Sequence, residues 1–103
     1  MPNILTGSIV ASAPTQASSG VASGQLVAFN AQRVGLIITN ISSGTIYIGI
    51  GTGNAAVVGS GITLVANGGS WTMDEYTYTV EQINSIAHQA ASSVAIQEFV
   101  NRA

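Results

Sequence analysis

The side chains that could carry protons in a catalytic reaction are few in this sequence. His88 is the only histidine, and the four carboxylates are Asp74, Glu75, Glu81 and Glu98. General acid–base catalysis needs a proton carrier held against a partner, and hydrolytic nucleophiles need a Ser-His-Asp order or a G-x-S-x-G turn. Neither pattern surrounds His88, which we expect on the surface or at an interface. The sequence therefore predicts no catalytic residue and no enzyme.

Potential metal ligands are equally sparse. The chain contains no cysteine, so disulfides, thiolate zinc sites and cysteine nucleophiles are excluded. Asp74, Glu75 and Glu81 supply oxygen atoms within a short stretch, but their spacing lacks the D-x-D-x-D pattern of a calcium loop. We expect a polar turn with solvated carboxylates and no metal ion.

A dinucleotide-binding pattern occurs at residues 51–56, which match G-x-G-x-x-A. Asp74 follows about 20 residues later, where a ribose contact would be expected. The pattern has this meaning only when it opens a helix whose N-terminus meets the pyrophosphate. Residues 57–61 are β-branched and interrupted by glycine, and predict a loop between strands. No cofactor is expected.

The aromatic side chains allow two interpretations. Tyr47, Trp71, Tyr76 and Tyr78 could form a platform on a sheet, which would suit a glycan- or receptor-binding module. Aromatic rings are also the usual filling of a β-sandwich core or interface. We favour core or interface packing and keep the glycan-binding module as the alternative.

Low charge excludes several classes of partner. Only two residues are basic and four acidic, or 6% charged residues, against about 25% in ordinary soluble domains. Two basic residues cannot neutralise a nucleic-acid backbone or form a polybasic membrane anchor. No run of 18 apolar residues suggests a membrane span, and no signal-peptide pattern begins the sequence. We expect synthesis in the cytoplasm and no contact with nucleic acid or membrane.

The same composition favours association with other protein subunits. Interface cores are depleted in Lys and Glu, and this chain has no Lys. An N-terminal arm at residues 1–13 could add a strand to a neighbour's sheet edge. The predicted partner-contact residues are Ile4, Leu5, Ile9 and Val10 of the arm, together with Trp71 and Tyr76.

The elements that must position these residues are strands. Val, Ile and Thr occur in short runs separated by Gly, Asn and Ser, a pattern typical of β-structure. With 103 residues, one domain is expected. The predicted fold is an all-β, single-domain antiparallel β-sandwich or jelly roll with an extended N-terminal arm. Residues 1–24 would be the arm and a loop, and residues 25–103 the sandwich.

Two segments carry sharper local predictions. Residues 33–39 and 45–50 flank a short Ser/Gly loop and predict a hairpin, central and covered on both faces because apolar residues occupy both. Residues 80–91 carry a helical spacing of apolar residues, and Thr79 with Gln82 matches a capping box. We favour a strand through residues 83–88 and keep the helix as the alternative.

Several short runs resemble small structural proteins from the virions of tailed bacteriophages, of the capsid decoration or cement kind. The runs are residues 33–40 (RVGLIITN), 45–49 (TIYIG), 61–64 (GITL), 68–70 (GGS), 83–87 (INSIA) and 94–99 (VAIQEF). Residues 80–82 (VEQ) depart from the pattern, because the virion proteins commonly carry Gly and other small residues at this place. The resemblance implies a non-enzymatic virion subunit, often trimeric. It would be assembled in the host cytoplasm and would bind the major capsid protein or other virion subunits.

Overall fold

The computed structural model describes residues 8–74, 77–90 and 92–102, and within them the chain forms nine β-strands. The strands are β1 Ser8–Ala11, β2 Thr15–Ser19, β3 Gly24–Val27, β4 Arg33–Asn40, β5 Ile46–Ile50, β6 Ile62–Leu64, β7 Ser70–Thr72, β8 Ile83–Ala87 and β9 Ser92–Arg102. Among these residues, no helix of the length and hydropathy needed to cross a membrane is found.

The strands form two antiparallel sheets. Sheet A has the order β1-β9-β4-β7, and β2 also pairs with β9; sheet B has the order β3-β8-β5-β6. β1 pairs with residues 99–102 of β9 and β2 with residues 92–96, so the two act as one interrupted edge strand. Counted this way, the eight strands follow the order of a jelly roll. The predicted all-β sandwich is confirmed.

The hydrophobic core lies between the two sheets. Side chains alternate between the two faces of each strand, and the apolar ones point toward the facing sheet. In β5, Ile46 and Ile48 are 0% and 2% exposed. The core consists of Leu26, Leu36, Ile38, Ile46, Ile48, Leu64, Met73, Ile83, Ala87, Val94 and Ile96.

The N-terminal strands belong to the sandwich. Residues 8–11 and 15–19 pair with β9 of the same chain, and Ala17 packs against the core. The division into an arm at 1–24 and a sandwich at 25–103 therefore changes for residues 8–24, which supply one edge of sheet A and the crossing to sheet B. Residues 1–7 lie outside the described residues.

The predicted hairpin between residues 33–39 and 45–50 is wrong. β4 pairs with β7 and β9, whereas β5 pairs with β6 and β8. The connection between β4 and β5 crosses from one sheet to the other. The expectation that both faces are covered also fails for β4, because Ile37 is 37% exposed.

The disputed segment at residues 80–91 contains a strand. β8, Ile83–Ala87, lies between β3 and β5 in sheet B. The preferred strand is confirmed and the helix is excluded. Ile83 and Ala87, which suggested a helical stripe, are instead both core residues on one face of the strand.

Candidate interaction surface

The side of sheet A that points away from sheet B forms an uncharged surface of the described chain. Val94, Ile96 and Val100 of β9 point inward and are buried. The alternate residues 95, 97 and 99 therefore point outward. The described residues of this surface, here called the outer A face, are Ile9, Ala11, Gln16, Ser18, Gly35, Ile37, Thr39, Ser70, Thr72, Ser93, Ala95, Gln97, Phe99 and Asn101. None of them is charged.

A shallow groove runs across the outer A face where the edge strand is interrupted. Its volume is about 210 Å³, and it is lined by Pro14, Thr15, Ile37, Thr39, Ala95, Ile96 and Gln97. Ile37 lies opposite Gln97, and Thr39 opposite Ala95, in the β4–β9 ladder. The lining is apolar or uncharged, so the groove suits an apolar side chain better than an ion.

An aromatic ring lies beside this groove. A Cβ built on Gly35 would meet Cβ of Phe99 at 3.4 Å and Cδ1 at 3.5 Å. The Phe99 side chain therefore lies over Gly35 of β4, at a distance that is ordinary for van der Waals contact. Phe99 remains half-buried, and it is one outward position beyond Gln97 along β9.

Sheet B, in contrast, covers part of its outer side with its own chain. Asn84, 5% exposed, donates through Nδ2 to the carbonyl oxygens of Gly51 and Asn54, both at 2.9 Å. Gly49 lies beneath the same loop, where a Cβ would come within 2.8 Å of the Asn54 oxygen. The residues that matched a dinucleotide motif are therefore a loop between strands, as predicted, and this loop packs on β5 and β8.

One ion pair is buried inside the sandwich. Arg33 is 0% exposed, and its Nε donates to Oε2 of Glu98 at 2.6 Å. A β-bulge between Arg33 and Gly35 reverses the alternation of β4, which turns Arg33 inward like Leu36. The guanidinium also donates to the carbonyl oxygens of Ala28 and Glu81. It fixes two loops at this end of the sandwich.

The remaining candidates for chemistry are not gathered into a site. Asp74 Oδ1 accepts hydrogen bonds from the backbone N–H and the hydroxyl of Thr77, at 3.0 and 3.1 Å. Glu81 and His88 are exposed, and His88 donates its backbone N–H to the oxygen of Thr45. Among residues 8–74, 77–90 and 92–102, no three His, Asp or Glu side chains are grouped to hold a metal ion. Glu75 lies outside these residues.

The predicted partner-contact residues lie in different places. Ile9 belongs to the outer A face and is 46% exposed, while Val10 points inward at the edge and is 38% exposed. Trp71 lies opposite the buried Ile38 and packs against the core. Ile4, Leu5 and Tyr76 lie outside the described residues.

The proposed aromatic platform is not formed by the described rings. Trp71 and Tyr78 both pack against the core. Tyr47 points outward from sheet B, because its neighbours Ile46 and Ile48 are buried. The rings therefore lie on opposite sides of sheet B, and a sugar could not stack on all three.

The outer A face was missed in the sequence because its residues come from strands that are distant along the chain. The signal was present in the alternation of residues 93–99 and 35–39. Recognising the face required knowing that β4 pairs with β9. The sequence analysis had instead paired β4 with β5 in a hairpin.

Comparison with known proteins shows a similarity in fold. No family model matches the chain, and no curated protein matches it. A solved structure of Bacillus endospore appendages, described as a novel family of disulfide-linked pili, is similar in fold, with a TM-score of 0.54 and 16% sequence identity. The match covers 94% of this chain and 91% of that chain. At 16% identity the similarity concerns the fold alone.

Proposed function

We propose that this chain is a non-enzymatic structural subunit that acts by packing against other subunits of a protein assembly. The observation that carries the proposal is the outer A face, a broad, uncharged sheet surface that the described chain leaves uncovered. Two large apolar side chains of this face, Ile9 and Ile37, are 46% and 37% exposed, and the cores of subunit interfaces are depleted in charge. Charge-free surfaces are also poorly suited to keeping a free monomer in solution.

Within that class, the proposed role is decoration and stabilisation of a tailed-phage capsid. The support is the resemblance of residues 33–40, 45–49 and 94–99 to small virion proteins. Such a subunit would bridge capsid proteins, and each bridge would stabilise the shell by mass action. The resemblance also implies a trimer and a location on the virion.

A second candidate is a subunit of an extracellular filament. The similarity in fold to a protein of disulfide-linked pili favours it. This chain has no cysteine, so its contacts in a filament would not be disulfides. The contacts between subunits would have to be stabilised entirely by noncovalent burial of surface.

Immunogold electron microscopy separates the two candidates. An antibody against the purified chain would be applied to phage particles and to surface filaments from the organism that carries the gene. Gold on phage heads supports capsid decoration, and gold on filaments supports the second candidate. Gold on neither, with the chain recovered as a free monomer, would contradict the structural role.

A glycan array tests the remaining alternative. Because Trp71 packs on the core, the exposed side of Tyr47 is the better place to look for sugar stacking. We expect no bound glycan. Binding that is lost in Tyr47→Ala, with the fold unchanged, would favour a glycan-binding module.

A further inference from the structure

We propose that Asn67 is a site of spontaneous deamidation, and that a backbone hydrogen bond of the next residue controls its rate. The inference concerns covalent chemistry of the chain itself and is independent of the proposed structural role. Asparagine is one of the chemically labile residues of proteins. The chain has seven asparagines, and Asn67 is the one that glycine follows.

The reaction takes place between two neighbouring groups. The backbone nitrogen of Gly68 loses its proton and attacks Cγ of Asn67. A bond forms between this nitrogen and Cγ, the Cγ–Nδ2 bond breaks, and Nδ2 leaves as ammonia with a proton equivalent to the one that the nitrogen gave up. Water then opens the succinimide ring at either carbonyl group, which yields aspartate or isoaspartate. Glycine favours the attack because it has no side chain to obstruct the approach.

The surroundings of Asn67 leave its carboxamide available. Asn67 is exposed and lies in a turn at φ 59°. A Cβ built on Gly68 would meet no atom within 4 Å, so one side of the turn is open to water. Within the described part of the chain, no hydrogen bond holds the Asn67 carboxamide. The leaving group is therefore unbonded and in contact with solvent.

The other described asparagines have carboxamides that are hydrogen-bonded or buried. They are Asn30, Asn40, Asn54, Asn84 and Asn101. Asn54 is the matched comparison, because it is exposed like Asn67. Its Nδ2, however, donates to the oxygen of Ile50 at 2.7 Å, and the residue that follows it is Ala55.

The attacking nitrogen is engaged in the folded chain. Gly68 donates its N–H to the backbone oxygen of Asn40 at 2.8 Å, and Asn67 donates its own to the oxygen of Ser42 at 2.8 Å. These bonds hold the turn at residues 65–69 against the connection between β4 and β5. The Gly68 nitrogen must leave Asn40 before it can attack, so the reaction proceeds from molecules in which this turn has opened locally.

The two products differ in their effect on the fold. Aspartate keeps the main chain unchanged and is tolerated at a left-handed backbone position. Isoaspartate adds a methylene group to the main chain between residues 67 and 68, which displaces the Gly68 N–H from Asn40. The turn joins β6 of sheet B to β7 of sheet A. The isoaspartate form should therefore melt at a lower temperature than Asn67→Asp, which reproduces the other product.

Incubation of the full chain in mildly alkaline buffer tests the site. Pepsin digestion at low pH and mass spectrometry would locate each exchange of NH₂ for OH. We expect the peptide that contains Asn67 to change first and the peptide that contains Asn54 to lag behind it. Asn67→Gly should abolish the early change. Modification of Asn54 at the same rate, or of another asparagine before Asn67, would overturn the site.

Asn40→Ala tests control by the hydrogen bond without altering the residues that react. It removes the side-chain bonds to Gly44 and Leu64 that fix the connection. Deamidation at Asn67 should become roughly 10-fold faster, which corresponds to a turn weaker by about 1.4 kcal/mol. Hydrogen exchange of the Gly68 N–H should accelerate with it. Thr63→Ala, at an exposed position of β6, is the control and should leave both rates unchanged.

The chain unfolded in urea supplies the same comparison without a variant. Its turn is fully open, so Asn67 should be modified faster than in the folded chain. Equal rates in the folded and unfolded chains would overturn the control by the hydrogen bond. Faster exchange of the Gly68 N–H in Asn40→Ala without faster deamidation would overturn it as well.

Discussion

At the scale of single residues, Arg33 is the side chain on which the packing of one end of the sandwich depends. Its guanidinium joins Glu98 of β9 to the loop oxygens of Ala28 and Glu81. A planar group with five N–H donors can satisfy several acceptors at fixed angles, which an ammonium cannot do. The bulge at the start of β4 is what allows this residue to point inward.

Replacing Arg33 by Met should therefore be severely destabilising. The change leaves a carboxylate, 19% exposed in its side chain, without its cation, and removes hydrogen bonds from two loops. Breaking a buried ion pair from one side costs about 3–5 kcal/mol. Urea denaturation followed by circular dichroism would measure the loss. Glu98→Gln breaks the same pair but keeps the hydrogen bonds of the guanidinium to the loop oxygens, so the difference between the two variants measures what those hydrogen bonds contribute.

Asn40 is the second residue with a specific structural role. It is 0% exposed, and its Nδ2 donates to the oxygens of Gly44 and Leu64 at 2.7 and 2.9 Å. Its Oδ1 accepts the backbone N–H of Ser42. One side chain thus organises the turn that carries the chain from sheet A to sheet B.

Asn40→Ala should destabilise the fold by about 1–3 kcal/mol for each buried carbonyl left unsatisfied. Thermal denaturation would measure it. Asn67, at φ 59° in a neighbouring turn, provides the comparison, because Asn67→Gly relieves a left-handed backbone position and should change stability little. Similar effects of the two substitutions would contradict the role given to Asn40.

At the scale of elements, the strands were predictable and their partners were not. Runs rich in Val, Ile and Thr identified β4 and β5, since β-branched residues suit a pleated surface, whereas the strand at β8 was favoured through the resemblance to small virion proteins. Pairing follows from contacts across long stretches of sequence. In a jelly roll, most consecutive strands lie in opposite sheets, so adjacency in sequence misled the hairpin prediction.

Local chemistry explains why the β4–β5 connection resembled a hairpin loop. Asn, Ser and Gly are typical of tight turns between paired strands. Here Asn40 is buried and bonds to Leu64 of β6, a contact that no local pattern encodes. In the same way, the bulge that turns Arg33 inward could not be predicted by assuming that inward and outward residues alternate strictly along the strand.

The central strand β5 should be intolerant of charge. Ile48 is 2% exposed and lies in the core. An unpaired carboxylate there has no partner and would be desolvated, while the whole domain is expected to be stable by only about 5–15 kcal/mol. Ile48→Asp should abolish folding, as seen by the loss of the β-sheet circular dichroism signal. Thr63→Asp, on the exposed side of neighbouring β6, should fold normally.

The placement of β1 at the edge of sheet A predicts that a longer N-terminal deletion lowers the melting temperature more than a shorter one. Deleting residues 1–7 leaves every described strand in place and should preserve the fold. Deleting residues 1–13 also removes β1, which pairs with residues 99–102 of β9, and should lower the melting temperature. Equal melting temperatures for the two truncations would contradict the placement of β1 in the sandwich.

At the scale of the whole molecule, the distribution of charge separates the chain into different surfaces. Asp74, Glu81 and the Arg33–Glu98 pair lie in or near the loops around the start of β4 and the end of β9. The outer A face and the loops at the opposite end are free of Asp, Glu, Lys and Arg in the described residues. The scarcity of charged residues was evident in the composition. The fold was needed to show that the few charged residues lie away from the outer A face.

The most direct test of the structural role is the native mass of the full chain across a dilution series, measured by sedimentation equilibrium. A subunit that works by packing its uncharged sheet surface against another copy should exceed the 10.4 kDa of one chain and return toward it on dilution. A mass of one chain at every concentration up to roughly 100 μM, where even a micromolar contact would be saturated, would contradict self-assembly through this surface.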